Sequence, residues 1–235
     1  MVVPKPLIAK GGEQLFRISA TANWAEKKAS VQVYAVNAEG KKTVDHAHCT
    51  VKFFDTNASE LEWKRISYLV KRSIDSLHQN AETGEAHRIQ RGMVYKLFSA
   101  LVDYDDNFKS IREVILDSDN NEATARVKFQ APPGNFHRNP FWIDSFGHLS
   151  GFIMNASDAT DSKNQVFVNH GWDSMRCLKK FSPDVTYRTY VRMQPWQNNI
   201  WAGDVYIFEG DDIIAVFGGV KVGTSLLLLV SVLLT

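Results

Sequence analysis

Between residues 139 and 155 (NPFWIDSFGHLSGFIMN) apolar positions fall on nearly every side of a 3.6-residue spiral. Phe141, Trp142, Ile143, Phe146, Leu149, Phe152, Ile153 and Met154 leave no wet face, and a helix of that kind belongs in the interior. Asn139 supplies an N-cap and Pro140 fits the first turn, where its missing N–H costs nothing. Upstream the period changes. Residues 30–36 alternate, with Val31, Val33 and Ala35 on one side. Asn37-Ala38-Glu39-Gly40 reads as a hairpin turn, and a return strand over 46–53 puts Ala47, Cys49, Val51 and Phe53 on one face. Trp63, Ile66, Leu69, Val70 and Ile74 predict a helix over 60–78, with Lys64, Arg65, Lys71 and Arg72 on its solvated face. The polar run 79–84 is the boundary candidate. A second helix is expected over 93–102, and strands over 108–116 and 123–129 flank a turn at 117–121. Past the central helix, a polar loop over 156–164 precedes strands at 165–169, 185–193, 200–208 and 212–217.

The chemistry-bearing residues of the central helix are Asp144 and His148. Four residues apart, they stack on one face, and an acid and an imidazole on a core helix must be paired. Gly147 and Gly151 each cost a helix interior roughly 1 kcal/mol relative to Ala, so close packing is expected against them. On spacing alone, D-x-x-x-H equally fits an ordinary core helix with a self-satisfied Asp–His bond. His46 and His48 stand two apart on a strand, but no third ligand is recognisable beside them, so no metal site is expected.

Composition narrows the class. The chain has 235 residues, 44% hydrophobic and 23% charged, enough for one large or two small globular units. A net charge of +1 provides no general pull toward nucleic acid or an anionic membrane. Two cysteines, Cys49 and Cys177, argue for a reducing, cytoplasmic setting, with a single disulfide between them left open. The N-terminus carries no basic leader ahead of a long apolar run. At the other end, 222–235 (VGTSLLLLVSVLLT) falls short of the ~20 apolar residues a bilayer span needs. It reads as an aberrant, aggregation-prone end of a mis-spliced or truncated gene rather than an anchor.

Several ordered blocks carry a resemblance over residues 4–221. They include HAHCTVKFFD (46–55), YKLFSALVDYD (95–105), EATARVKFQ (122–130), IDSFGHLSGFIMN (143–155), VFVNHGWDSMR (166–176) and WAGDVYIFEGDDIIAVFGGVK (201–221). Together they resemble the product template domain of fungal non-reducing polyketide synthases, and Asp144-Ser-Phe-Gly-His148 resembles the D-x-x-x-Q/H motif of dehydratase-type domains.

The resemblance implies an α+β double hotdog. Residues 1–80 would be the remnant of a first hotdog with a linker helix, 81–221 a second hotdog wrapped around the helix near 140–155, and 222–235 the aberrant tail. It also implies an activity, the folding of a carrier-bound poly-β-ketone and its regioselective aldol cyclisation and aromatisation. Asp144 would be the catalytic acid, partnered by a histidine of the first hotdog, while His148, Asn155 and Asn169 would line the pocket and bind substrate. No cofactor is expected on the domain itself, because the substrate rides on the phosphopantetheine of an acyl carrier domain in another segment. That carrier domain and the poly-β-ketone are the expected partners, with no nucleic acid and no membrane; a homodimer stays open. The family's catalytic histidine would precede Met1. The isolated chain is therefore expected to be inactive, and the first hotdog to lack its own helix, leaving Val31, Val33, Val51 and Phe53 uncovered. The chemistry suits the residues: a proton between two carbonyls is acidic enough for a neutral imidazole to remove, and a buried Asp144 would orient that base or shuttle its proton. A dehydratase domain of a synthase and a non-catalytic acyl-binding remnant are the alternatives.

Overall fold

A computed structural model describes residues 1–5, 7–8, 11–161 and 164–226. The first three strands, β1 (Phe16–Asn23), β2 (Lys28–Val36) and β3 (Lys42–Lys52), form an antiparallel meander. Its second turn is the predicted one. Gly40 sits at φ 76°, and the Asn37 side chain accepts from the Lys41 N–H at 2.8 Å.

Helix α1 (Thr56–Thr83) starts where the Asp55 carboxylate caps the Asn57 N–H at 3.0 Å, and stops at Gly84, φ 89°. The polar run 79–84 is thus the last turn and C-cap of this helix rather than a boundary loop after it. Leu77 and Ala81 still pack inward there, so tertiary burial extends the helix through residues that read as a loop.

The chain continues through β4 (His87–Gln90), α2 (Arg91–Phe98), a 3₁₀ turn at Asp106–Phe108, β5 (Ile111–Asp117), β6 (Glu122–Val127) and α3 (Pro140–Ala156). It finishes with β7 (Gln165–Gly171), β8 (Ser174–Cys177), β9 (Tyr187–Arg192), β10 (Gln194–Pro195), β11 (Ile200–Glu209) and β12 (Asp212–Leu226). These strands make an antiparallel sheet in the order β4-β5-β6-β9-β11-β12-β7, with β10 on β11 and β8 on β12. Val2 joins the two sheets, exchanging backbone hydrogen bonds with His48 of β3 at 3.0 and 3.1 Å and bridging to Gly171 of β7.

The large sheet curls around α3, the arrangement of a hotdog. Phe146, Leu149, Phe152 and Ile153 are at most 1% exposed and share one core with Val127, Tyr187, Val191, Val205 and Val222. Helix α1 covers the other face, setting Trp63, Ile74 and Leu77 on Ile115, Phe208, Ile213 and Val216. Cover on both faces explains why β12 opens as the unbroken apolar run Ile213-Ile214-Ala215-Val216-Phe217 instead of alternating. Each fully buried large side chain there is worth about 1.5–3 kcal/mol.

The small sheet is different. None of the residues of β1–β3 is buried; Val31 and Val33 are half-buried, while Val51 and Phe53 are exposed. Of the four residues expected to be uncovered, Val51 and Phe53 are exposed, whereas Val31 and Val33 are partly covered. At the far end, β12 pairs with β7 as far as Leu226, so residues 222–226 of the expected tail are sheet. Residues 227–235 lie outside the described part.

Candidate functional site

The site is built on the N-terminal half of α3. The Asn139 side-chain oxygen accepts from the Phe141 N–H at 2.9 Å, while its amide group donates to the Pro132 and Pro133 carbonyls at 2.8 and 3.1 Å. One residue therefore caps the helix and fixes the 131–134 loop that delivers it. Trp142 donates its ring N–H to the Ala131 carbonyl at 2.9 Å and stacks on Phe129 at 4.6 Å, and Ser145 donates to the Phe108 and Phe141 carbonyls. The helix cannot turn about its axis without breaking these bonds, so the direction of Asp144 is set.

Asp144 and His148 are paired as their spacing requires, with the imidazole Nε2 2.7 Å from the Asp144 Oδ2. A carboxylate oxygen accepts, so Nε2 is the donor of this bond. The other ring nitrogen, Nδ1, is buried and has no hydrogen-bond partner among the described residues. The pair is lopsided, the His148 side chain being 2% exposed and that of Asp144 50%. The expectation of a buried Asp144 is corrected here. Trp142, Phe146, Leu149 and Ile153 take the side of α3 that faces the sheet, and Asp144 projects from the open side, where α2 and the 99–108 segment cover His148 but stop short of the acid.

Aromatic rings make that cover. The rings of Tyr104, Phe98 and Tyr95 lie 4.3, 5.6 and 6.3 Å from the His148 ring. The Tyr95 hydroxyl accepts from the Ile111 N–H at 2.9 Å and donates to the Phe108 carbonyl at 3.4 Å. Burial raises the pKa of both phenols well above the ordinary tyrosine value, and the Asp144 charge pushes the same way. Arg91 and Arg112 work against that shift at Tyr95 without cancelling it.

Gly147 and Gly151 also differ from expectation. A Cβ built on either would meet no atom within 4 Å outside the helix's own backbone and the chain neighbours, so close packing does not require them. They lie on the face that carries Asp144, His148 and Asn155, and they leave room along it. A hollow of about 140 Å³ opens at the far end of this face, lined by Leu97, Phe98, Leu101, Phe152 and Asn155. A hollow of about 450 Å³ lies elsewhere, sharing Tyr190 and Tyr206 with the cluster beneath α1 and holding neither Asp144 nor His148.

The other expected pocket residues are not joined to the pair by hydrogen bonds. Asn155 is spent on structure: its amide donates to the Gly151 and Phe167 carbonyls at 2.9 Å each, and its oxygen accepts from the Phe167 N–H at 2.9 Å. It pins the end of α3 to β7 while one edge lines the small hollow. Asn169 is exposed on β7, and its side-chain oxygen turns back to the Gly171 N–H at 2.6 Å. Trp172 is half-buried against Phe217. Tyr104 was not foreseen; an aromatic in the short polar run Asp103-Tyr104-Asp105-Asp106 was the available signal. His46 meets the Lys5 carbonyl, and among the described residues no three His, Cys, Asp or Glu gather as a metal site. Cys49 and Cys177 are free thiols, and no helix among the described residues is long and apolar enough to cross a membrane.

An antiparallel sheet curled round a central helix is a hotdog fold. Solved structures agree. The dehydratase domain from the CurJ module of the curacin polyketide synthase matches with TM-score 0.66 and 16% identity, over all of this chain and 75% of that one. The dehydratase domain of PpsC from Mycobacterium tuberculosis matches with TM-score 0.64 and 12% identity, over 89% of this chain and 68% of that one.

Sequence relatives are far closer, and they are fungal non-reducing polyketide synthases. The non-reducing polyketide synthase albA of Aspergillus niger is 82% identical over 221 residues, 94% of this chain and 10% of the relative. The conidial pigment polyketide synthase alb1 of Aspergillus fumigatus is 78% identical over the same span. Polyketide synthase 2 of Metarhizium acridum is 49% identical over 224 residues, 94% of this chain and 12% of the relative. The chain thus spans about a tenth of the length of the relatives it matches. No family model matches it.

Proposed function

We propose that this chain is a product-template segment of a non-reducing polyketide synthase, directing aldol cyclisation and aromatisation of a poly-β-ketone held on an acyl carrier domain. The observation that carries the reading is the half-exposed Asp144 carboxylate, fixed by His148 at 2.7 Å and aimed away from the core along a helix face that Gly147 and Gly151 keep clear.

The chemistry follows from that placement. A base removes the proton of a methylene between two carbonyls. The resulting enolate carbon forms a bond to a remote carbonyl carbon, whose oxygen takes up a proton, and loss of water then yields the aromatic ring. Asp144 orients the base and shuttles its proton. The Nδ1 of His148 is enclosed by aromatic rings, so His148 holds Asp144 in place rather than acting as the base itself. The oligoketide lies along the glycine face, with its thioester end toward the carrier. A domain of this kind works in the cytoplasm and binds no cofactor of its own.

The dehydratase folds among the structural neighbours favour a second reading, β-hydroxyacyl dehydration. Product analysis separates the two. A non-reducing synthase carrying this chain as its corresponding segment, supplied with acyl and malonyl units, is expected to release a cyclised aromatic product. An α,β-unsaturated acyl product would support dehydration instead.

A further inference from the structure

Tyr104 differs from three other tyrosines packed into the protein, Tyr95, Tyr187 and Tyr190. The hydroxyl of Tyr95 bonds to the Ile111 N–H and the Phe108 carbonyl, that of Tyr187 to the Ser182 backbone, and that of Tyr190 to the Glu122 carboxylate. The Tyr104 hydroxyl has no hydrogen-bond partner among the described residues; the residue is half-buried and its oxygen stays open to an incoming group. Its ring, in contrast, is locked. It lies 4.3 Å from the His148 ring, stands perpendicular to Phe98 at 5.3 Å, and meets Tyr95 and Phe108 at 6.3 and 6.1 Å. A fixed phenol with a free O–H beside an acid that it does not itself bond is a donor waiting for an acceptor.

We propose that the Tyr104 hydroxyl hydrogen-bonds a carbonyl oxygen of the oligoketide beside Asp144, and holds that oxygen as it becomes an enolate or alkoxide. The proposal rests on the cyclisation reading above for its reaction and on the geometry of Tyr104 for its residue. The O–H remains in place throughout: it lends a hydrogen bond, and the proton that the oxygen finally takes comes from the acid–base pair. Burial and the Asp144 charge keep the phenol protonated at neutral pH. Oxyanion donors of this kind contribute about 10²–10³ in turnover.

Two measurements on Tyr104→Phe, which keeps the ring and removes the hydroxyl, decide it. In the first, the full chain with ¹³Cζ-labelled tyrosine is titrated with a pantetheine-linked β-diketone too short to close a ring. Saturation is expected to shift the Tyr104 resonance, and the variant is expected to bind about tenfold more weakly. An unmoved Tyr104 resonance, equal affinity in the variant or no binding to the wild type would each overturn the proposal. In the second, a synthase carrying the variant segment is expected to lose about 10²-fold in kcat, on top of a KM rise of no more than about tenfold. A loss confined to KM, or no loss, also counts against it. If the wild-type synthase releases no cyclised product, the cyclisation reading fails on its own account, and the titration still decides whether Tyr104 touches a ketone.

Discussion

At the scale of single residues, hydrogen-bond satisfaction separates structure from function. Removing the Tyr95 hydroxyl leaves the buried Ile111 N–H without its acceptor, so Tyr95→Phe is expected to lower stability by about 1–3 kcal/mol. Tyr104→Phe loses no bond and is expected to stay within about 0.5 kcal/mol of the wild type. Urea unfolding of the two variants makes the comparison. Glu113 supplies a pH prediction. Burial works upward on its carboxyl, but the Gln90 hydrogen bond and the Arg126 and Arg88 charges hold it below the ordinary value. The folded pKa is then lower than the unfolded one, so this contribution is complete at neutral pH and is lost as pH falls through and below about 4.3. The stability gap between wild type and Glu113→Gln is expected to narrow steadily from about pH 6 to about pH 3; a constant gap would show that Glu113 carries no pH-linked stability. The Asp144–His148 bond was legible in the sequence because residues four apart on a helix face must meet. The exposure of Asp144 was not, since it depends on where α2 and Tyr104 end in space.

For whole elements, α3 tests how the site face is made. Its sequence announced it, with a capping Asn139, Pro140 at the first turn and apolar groups all round. The purpose of its glycines was misleading, however, because helix propensity states a cost without saying which side of the helix is empty. With open space beside Gly151, Gly151→Ala is expected to stabilise the fold by about 1 kcal/mol, seen as a higher midpoint in thermal or urea unfolding; a lower midpoint would restore the close-packing explanation. A bulkier Gly147→Val change is expected to fold and to block cyclisation. Asn155 points the other way. Its three bonds tie α3 to β7, and Asn155→Ala is expected to cost about 2 kcal/mol. The short strands β4, β8 and β10 escaped the pattern because two to four residues show no period, and β12 outran its expected end because pairing with β7 continues past the buried run.

Across the molecule, one sheet is covered on both faces, while no residue of the other is buried. The order of strands and helix announced a hotdog, and the wrapping of α3 follows from the need to bury that helix. The strand order, with β9 between β6 and β11, is set by pairings too distant in sequence for any local pattern to reveal. Ile18 at 64% and Phe53 at 53% exposure leave apolar surface that invites association. Ile18→Lys with Phe53→Lys is expected to reduce self-association in sedimentation velocity while leaving the unfolding midpoint almost unchanged, because neither side chain is in the core. The claim that unites these scales is that α3 presents one acid to a carrier-bound oligoketide. Asp144→Asn in a non-reducing synthase carrying this segment tests it most directly. The account predicts a folded synthase that extends its polyketide normally but releases shunt products in place of the directed ring, a loss of at least about 10²-fold in cyclised product. An unchanged yield of that ring from the variant would contradict it.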